Sequence, residues 1–161
     1  MKAKHLQAHV DVCLVISQLS GCPRRKFGAV ILNPDRNTIL ATGYNGGPRG
    51  GGVLCGGEVC EREGIRSGTQ MERGCHHAEM NAITNAAADG IKTAGAWLVV
   101  SGEPCILCAK LLHHAGILRV LCVEGGYIGG GEGPAYLTRH VVEVEYVAGP
   151  RDPRFEPGEA T

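Results

Sequence analysis

The sequence lacks an excess of either charge. Its 16 lysine and arginine residues balance 16 aspartate and glutamate residues, so the formal net charge is zero. A protein that depends on contacts with a phosphate backbone normally carries a basic excess. The balance therefore counts against a polynucleotide partner. A small phosphorylated ligand, which needs only one or two cations, stays compatible with it.

The chain also lacks any run of eighteen apolar residues, so no membrane-spanning helix is predicted. Residues 1–21 have a basic start and an apolar middle, but Asp11 and Gln18 interrupt the apolar stretch and no small-residue cleavage site follows. This pattern favours an amphipathic first helix over a signal peptide. We expect a cytoplasmic protein that does not contact membranes.

The length of 161 residues suits one domain with a substantial core and is too short for two. No internal repeat is visible. We expect the domain to cover residues 1–148. Residues 46–74, rich in glycine and cysteine and without periodicity, are predicted to form a long functional loop. Residues 149–161 are Pro-rich and are predicted to be a flexible tail.

Apolar periodicity and turn-forming residues predict the order of the elements. The sequence NPDRN between two β-rich runs indicates a hairpin, and strands and helices alternate after it. This order is typical of an α/β domain with three layers, in which helices cover both faces of a mixed five-stranded sheet. The predicted helices span residues 4–19, 77–88 and 103–114, and the strands span 26–33, 38–45, 95–101, 117–124 and 140–147.

Eight cysteines are many for a cytoplasmic chain of this length, and disulfides are disfavoured in that compartment. Metal binding or catalysis is therefore the favoured use. Cys13 and Cys122 lie in apolar runs and are predicted core residues. Cys105 and Cys108 form a C-x-x-C pair. Such a pair is typical of either a redox site or half of a zinc ribbon, but a ribbon needs a second C-x-x-C, which is absent.

Two segments together predict a catalytic zinc site. In GCHHAEMNAI (74–83), His77 and Glu79 taken alone would fit ordinary solvated groups equally well. In EPCILCAK (103–110), two cysteines three residues apart can bind one ion. His77, Cys105 and Cys108 give three ligands and leave one tetrahedral position for water. Glu79 can reach that water without being a ligand, the pattern of zinc-dependent nucleobase deaminases.

The chain resembles the zinc-dependent cytidine and deoxycytidylate deaminase superfamily, and its deoxycytidylate (dCMP) deaminase branch in particular. CPRRKFGAVI, ATGYNGGPRGG, HAEMNAI and EPCILCAK occur in the order of that branch. Free cytidine deaminases usually have cysteine at the position of His77, and tRNA adenosine deaminases lack the GYNG stretch. The resemblance implies a cytidine-deaminase-like fold and hydrolysis of dCMP to dUMP and ammonia. Glu79 would be the general acid and base beside one catalytic zinc ion.

The resemblance also implies contacts with a nucleotide substrate. Asn45, in the GYNG stretch, would bind the sugar, and Ala78 would also contribute to the substrate-binding site. Lys26 and Tyr127 are placed for the phosphate and for stacking on the base. Other interpretations stay open, since Lys26 fits a solvated surface charge, Tyr127 a core aromatic, and the glycine-rich stretch around Asn45 a flexible hairpin end.

Four cysteines remain, and the resemblance implies a second, structural zinc ion that braces the long loop. Cys22, Cys55 and Cys75 match or lie close to positions of that site, and Cys60 would complete a set of four thiolates. His76 is the alternative fourth ligand. A closed metal site would contribute folding free energy to a loop without a core of its own. Free thiols are the competing interpretation.

Other activities and assemblies stay open at this point. The chain could deaminate another small cytosine nucleotide or a purine base such as guanine, or it could be a non-catalytic zinc module. The resemblance implies a homo-oligomer, either a dimer or a hexamer. Ala88 stands where relatives commonly have an arginine that can bind phosphate bidentately. We therefore expect weak or absent activation by dCTP.

Overall fold

Four helices and five strands follow one another in residues 1–52, 54–65, 73–127 and 130–149, the part that this computed structural model describes. None of the helices in those ranges is long and apolar enough to cross a membrane. The elements are α1 (Ala3–Ser17), β1 (Gly28–Asn33), β2 (Thr38–Tyr44), α2 (Ala78–Ala88), β3 (Trp97–Gly102), α3 (Ile106–His114), β4 (Arg119–Tyr127), α4 (Glu132–Arg139) and β5 (Glu143–Val147).

The five strands form one mixed sheet in the order β2-β1-β3-β4-β5. Strand β1 is antiparallel to both of its neighbours, β2 and β3. The pairs β3–β4 and β4–β5 are parallel, with α3 and α4 as their crossover connections. The predicted hairpin and the parallel strands around the later helices are confirmed.

The two faces of the sheet carry separate hydrophobic clusters because alternate strand residues point to opposite sides. Val30 and Leu32 of β1 pack with α1 on one face, whereas Ala29 and Ile31 pack with the other helices on the opposite face. The predicted three-layer α/β architecture is therefore confirmed. The thiols predicted to be core groups are buried, one in each cluster: Cys13 and Cys122.

Two details of the predicted elements are wrong. Helix α4 was not expected, because glycine and proline occupy its first turn (EGP) and hide the apolar spacing of the rest. Helix α3 begins at Ile106 and not at residue 103, with Cys105 as its N-cap in an extended conformation. Pro104 consequently precedes the cap and is not part of the first helical turn. Residues 150–161, most of the predicted tail, lie outside the described residues.

Helix α2 approaches the backbone of β2 unusually closely at Gly43. A Cβ atom at Gly43 would lie 2.3 Å from the carbonyl oxygen of Ala78 and 2.4 Å from the amide nitrogen of Ala82. Both of these are backbone atoms, which cannot swing aside as a side chain can. The absent side chain at Gly43 therefore allows the first turns of α2 to rest directly on the sheet.

We predict that Gly43→Ala destabilises the protein by about 1–3 kcal/mol, because an added methyl group must push α2 away from β2. For a chain of this size, each kcal/mol lowers the melting temperature by about 2–4 °C. Gly46→Ala is the matched control, because the nearest atom to a Cβ there is 3.8 Å away, in the ring of Tyr44. Equal melting temperatures for both variants would contradict this packing.

Candidate metal centre

The site lies where the N-termini of two helices, α2 and α3, come together. His77 is the N-cap of α2 and Cys105 is the N-cap of α3, which follows the carboxyl end of β3. Both cap residues have extended backbone conformations. Helix N-termini carry partial positive charge, which stabilises thiolates.

His77, Cys105 and Cys108 meet as the sequence predicts. Nδ1 of His77 lies 3.5 Å from Sγ of Cys105 and 3.4 Å from Sγ of Cys108. A tetrahedral zinc ion with ordinary bond lengths separates a bound nitrogen from a bound sulfur by about 3.6 Å. Among the described residues, this trio is the one group of three metal-ligating side chains whose ligand atoms all lie within 4.8 Å of one another. The side chains present therefore fit a zinc ion.

Hydrogen bonds within the trio favour charge on one sulfur. The thiol of Cys108 donates to Cys105 and lowers the pKa of Cys105 to about 4, with further help from His77 and from the backbone N–H of Cys108. The same hydrogen bond, followed by burial, raises the pKa of Cys108. The hydrogen bond to Cys105 raises the pKa of His77. The three groups share protons that a bound cation would displace.

Glu79 lies in the first turn of α2 and is buried, with 5% of its surface exposed. Burial raises the pKa of its carboxyl group, and the nearby charge on His77 opposes this. The carboxyl group is within hydrogen-bonding reach of Cys108 and so lies against the trio. Glu79 is the residue that the sequence predicts as the general acid and base.

The remaining cysteines form a second cluster, in which each sulfur contacts the next. Cys22 contacts Cys75, and Cys75 contacts Cys55. Cys55 and Cys60 have their sulfur atoms 4.0 Å apart. Two thiolates on one tetrahedral zinc ion are about 3.8 Å apart. The contacts run in a chain, and within the described residues they do not reach the mutual closeness of the His77 trio.

Backbone N–H groups point at two of these sulfurs, a common feature of thiolates. The hydrogen bond from Cys75 lowers the pKa of Cys22 to about 5, and the N–H groups of Arg25 and Arg24 lower it further. The N–H of Glu61 donates to Sγ of Cys55 at 3.3 Å. His76, the alternative ligand, is exposed, and its backbone pairs with Gly46 in an isolated β-bridge.

The predicted substrate contacts lie in different environments. Asn45 is buried, and its amide accepts the N–H of Phe27 at 2.7 Å and donates to the carbonyl of Arg25 at 2.9 Å. Lys26 is exposed in the segment held by these bonds. Ala78 is fully buried beneath the site. The last residue of β4, Tyr127, has its side chain outside the described part of the structure.

Two asparagines of α2 attach this helix to the sheet, and their role was not predicted from the sequence. Asn81 donates to the carbonyl of Tyr44 at 2.7 Å, and Asn85 donates to the carbonyl of Thr42 at 2.9 Å. Their spacing of four residues places both on one helix face. That spacing was a usable signal, but only the fold reveals which carbonyl groups it meets.

Comparison with known proteins identifies the family. The family profile described as the cytidine and deoxycytidylate deaminase zinc-binding region matches residues 3–124. These residues contain His77, Glu79, Cys105 and Cys108. The chain belongs to the cytidine and deoxycytidylate deaminase family, whose members are zinc-dependent hydrolytic deaminases.

Individual relatives narrow the resemblance. The chain is 32% identical over 148 residues to the deoxycytidylate deaminase of Enterobacteria phage T4, covering 71% of this chain and 75% of the relative. It is 39% identical over 108 residues to ComE operon protein 2 of Bacillus subtilis, covering 65% of this chain but only 51% of that protein. A structure of dCMP deaminase from cyanophage S-TIM5 in complex with dCMP and dUMP has a TM-score of 0.74 and 29% identity. The match covers 91% of this chain and 99% of the phage chain.

Proposed function

We propose that the protein hydrolyses dCMP to dUMP and ammonia. The observation that carries the proposal is the open three-ligand site of His77, Cys105 and Cys108 with the buried carboxyl group of Glu79 beside it. The similarity of the chain to deoxycytidylate deaminases, and to the phage dCMP deaminase structure with dCMP and dUMP, supports the choice of substrate. One water molecule is consumed, and the exocyclic amine of the base leaves as ammonia.

In this proposal the trio holds the ion and Glu79 moves the protons. When bound, zinc supplies Lewis acidity that lowers the pKa of a water molecule to about 7. Glu79 accepts a proton from the attacking water and delivers it to the ring nitrogen, which makes the adjacent carbon electrophilic. The hydroxide left from the water adds to that carbon, and Glu79 carries its remaining proton to the amine. The carbon–nitrogen bond breaks as the carbonyl group of dUMP forms, and ammonia departs. The burial that raises the pKa of Glu79 suits a group that must both accept and donate a proton.

Recognition of the nucleotide is the finer part of the proposal. We assign the sugar contact to Asn45, whose Nδ2 carries a second N–H besides the one donated to Arg25. The same asparagine hydrogen-bonds to Arg25 and Phe27, the residues on either side of Lys26, which is the proposed phosphate ligand. Ala78 contributes a small buried surface under the base. Tyr127 stays a proposed stacking partner on the strength of its position in the sequence.

We predict that Glu79→Gln retains zinc and melts near the wild-type temperature but loses activity on dCMP by at least about 10²–10⁴-fold, the usual contribution of a general acid–base group. Ammonia release and the loss of ultraviolet absorbance measure the rate. A panel of dCMP, dCTP, cytidine and guanine identifies the substrate. Near-wild-type turnover in the variant would contradict the role of Glu79, and turnover of guanine alone would contradict the substrate.

A second, structural zinc ion is a further part of the proposal. Cys22, Cys55, Cys60 and Cys75 would hold it with four thiolates. The contact between Cys60 and Cys55 favours Cys60 over His76 as the fourth ligand. A filled site of this kind has no open position and serves folding. It would tie the loop at residues 46–74 to the segments that precede β1 and α2.

We predict that the purified protein holds about two zinc ions per chain. Cys55→Ser and Cys60→Ser should lower this to about one, because each removes a thiolate ligand, whereas His76→Ala should leave it at about two. Elemental analysis by mass spectrometry measures the ratio. Cys122→Ala is the control, since Cys122 is buried in the hydrophobic core and is a ligand of neither proposed site. One ion per chain in the wild type, unchanged in the variants, would contradict the second site.

We also propose that the enzyme is a homo-oligomer, at least a dimer, in the cytoplasm. The eight cysteines, all within the described residues, form no disulfide, as is usual in a reducing compartment, and this supports the location. The expected result of size-exclusion chromatography with light scattering is a mass of at least twice 16.9 kDa. A monomer at micromolar concentration would contradict the assembly.

Ala88, exposed at the end of α2, remains the basis for expecting little dCTP dependence.

A further inference from the structure

Glu103 joins three elements directly before the metal-binding turn. It follows β3 and lies two residues before Cys105. Its Oε2 accepts the N–H of Gly131, the N-cap of α4, at 3.3 Å. Its Oε1 accepts the hydroxyl of Tyr146, on the edge strand β5. One carboxylate therefore connects the turn that carries Cys105 to the start of α4 and to β5.

The start of α4 also touches the metal-binding turn through its backbone. A Cβ atom at Gly133 would lie 1.8 Å from the carbonyl oxygen of Pro104 and 3.1 Å from the carbonyl carbon of Cys105. Only glycine allows the first turn of α4 to come this close. Because Gly133 has no side chain, no side chain of that residue stabilises this contact. The hydrogen bonds of Glu103 are placed to maintain it, because they attach the same turn of α4 to the residue before Pro104.

The three elements have different roles in the fold, which explains why a connection matters. Strand β5 is at one edge of the sheet, and α4 is its connection to β4. Neither of these two elements supplies a metal ligand. Any motion of α4 away from the sheet would nevertheless release the backbone of Pro104 and Cys105, and with it the sulfur of Cys105. Ligand distances of about 2.3 Å tolerate little such motion.

We propose that Glu103 is a positioning residue, which holds the turn containing Cys105 and Cys108 in its metal-binding geometry by bracing it against α4 and β5. The inference rests on the proposed function in one respect, namely that the trio binds zinc. Glu103 is not one of the three residues that could hold the ion, and we assign it no contact with the substrate. We therefore expect replacement of Glu103 to affect the retention of the zinc ion and the turnover number more than the binding of the nucleotide.

The test compares zinc-loaded Glu103→Ala, Glu103→Gln and Tyr146→Phe proteins with the wild type. Transfer of zinc to a chromophoric chelator gives the release rate, and cobalt substitution gives a ligand-field spectrum that reports the geometry of the trio. We expect Glu103→Ala to release zinc at least tenfold faster, with a changed cobalt spectrum and with a lower kcat at a nearly unchanged KM. Glu103→Gln, which keeps one acceptor oxygen, should recover most of the loss.

Tyr146→Phe keeps the proposal testable if Glu103→Ala does not fold, because it removes one hydrogen bond from a side chain that is 49% exposed. A release rate raised severalfold is expected. Glu124→Ala, which changes an exposed glutamate of β4, is the control and should match the wild type. Wild-type release rates and spectra in both Glu103→Ala and Tyr146→Phe would overturn the brace alone. Absence of zinc from the wild-type trio would overturn the proposed function and the brace together.

Discussion

The distance between the first residues of two helices is the constraint on which this site depends. His77 and Cys105 are the N-caps of α2 and α3, and the site exists only if both caps face one point within the reach of one ion. The parallel pairing of β3 and β4 fixes α3, and the order β2-β1-β3 fixes the strand on which α2 rests. The same two N-termini supply the positive potential that favours thiolates. The placement of these two N-termini therefore determines both the geometry of the site and its positive potential.

Close backbone contacts set the precision of that arrangement. Gly43 lets α2 lie on β2, and Gly133 lets α4 lie on the turn before Cys105. Polar side chains then lock each contact: Asn81 and Asn85 do so for α2, and Glu103 does so for α4. A metal centre built at helix ends needs this support, because terminal turns have few hydrogen bonds of their own.

Much of the fold was predictable because its signals are local. A few neighbouring residues determine each of these features, namely the hairpin, the apolar strands and the ends of the helices. All of them occur close to the expected positions. The pairing of His77 with Cys105 and Cys108 was predictable because H-x-E followed by P-C-x-x-C is the pattern of zinc-dependent nucleobase deaminases, and ligand chemistry explains why it fits. The trio at the metal position is therefore the part of the site that the sequence predicts best.

The features that the sequence did not reveal depend on contacts between distant segments. Helix α4 was hidden by Gly133 and Pro134, whose local preferences oppose a helix while the packing against Pro104 requires a small residue. The start of α3 was misplaced because a cap residue and a first-turn residue look alike until the backbone conformation is known. The hydrogen bonds of Asn45 and Glu103 involve partners 18 to 43 residues away, which no short window contains.

We propose that the trio forms an open, three-ligand zinc centre beside a carboxylate that is not a ligand. X-ray absorption at the zinc edge would be ambiguous with two sites filled, so the direct measurement is anomalous scattering at that edge from crystals of the zinc-loaded protein. The account predicts a peak about 2.0 Å from Nδ1 of His77 and about 2.3 Å from both sulfurs, with water as the fourth ligand. A peak coordinated by Glu79, or no peak between the three side chains, would contradict it.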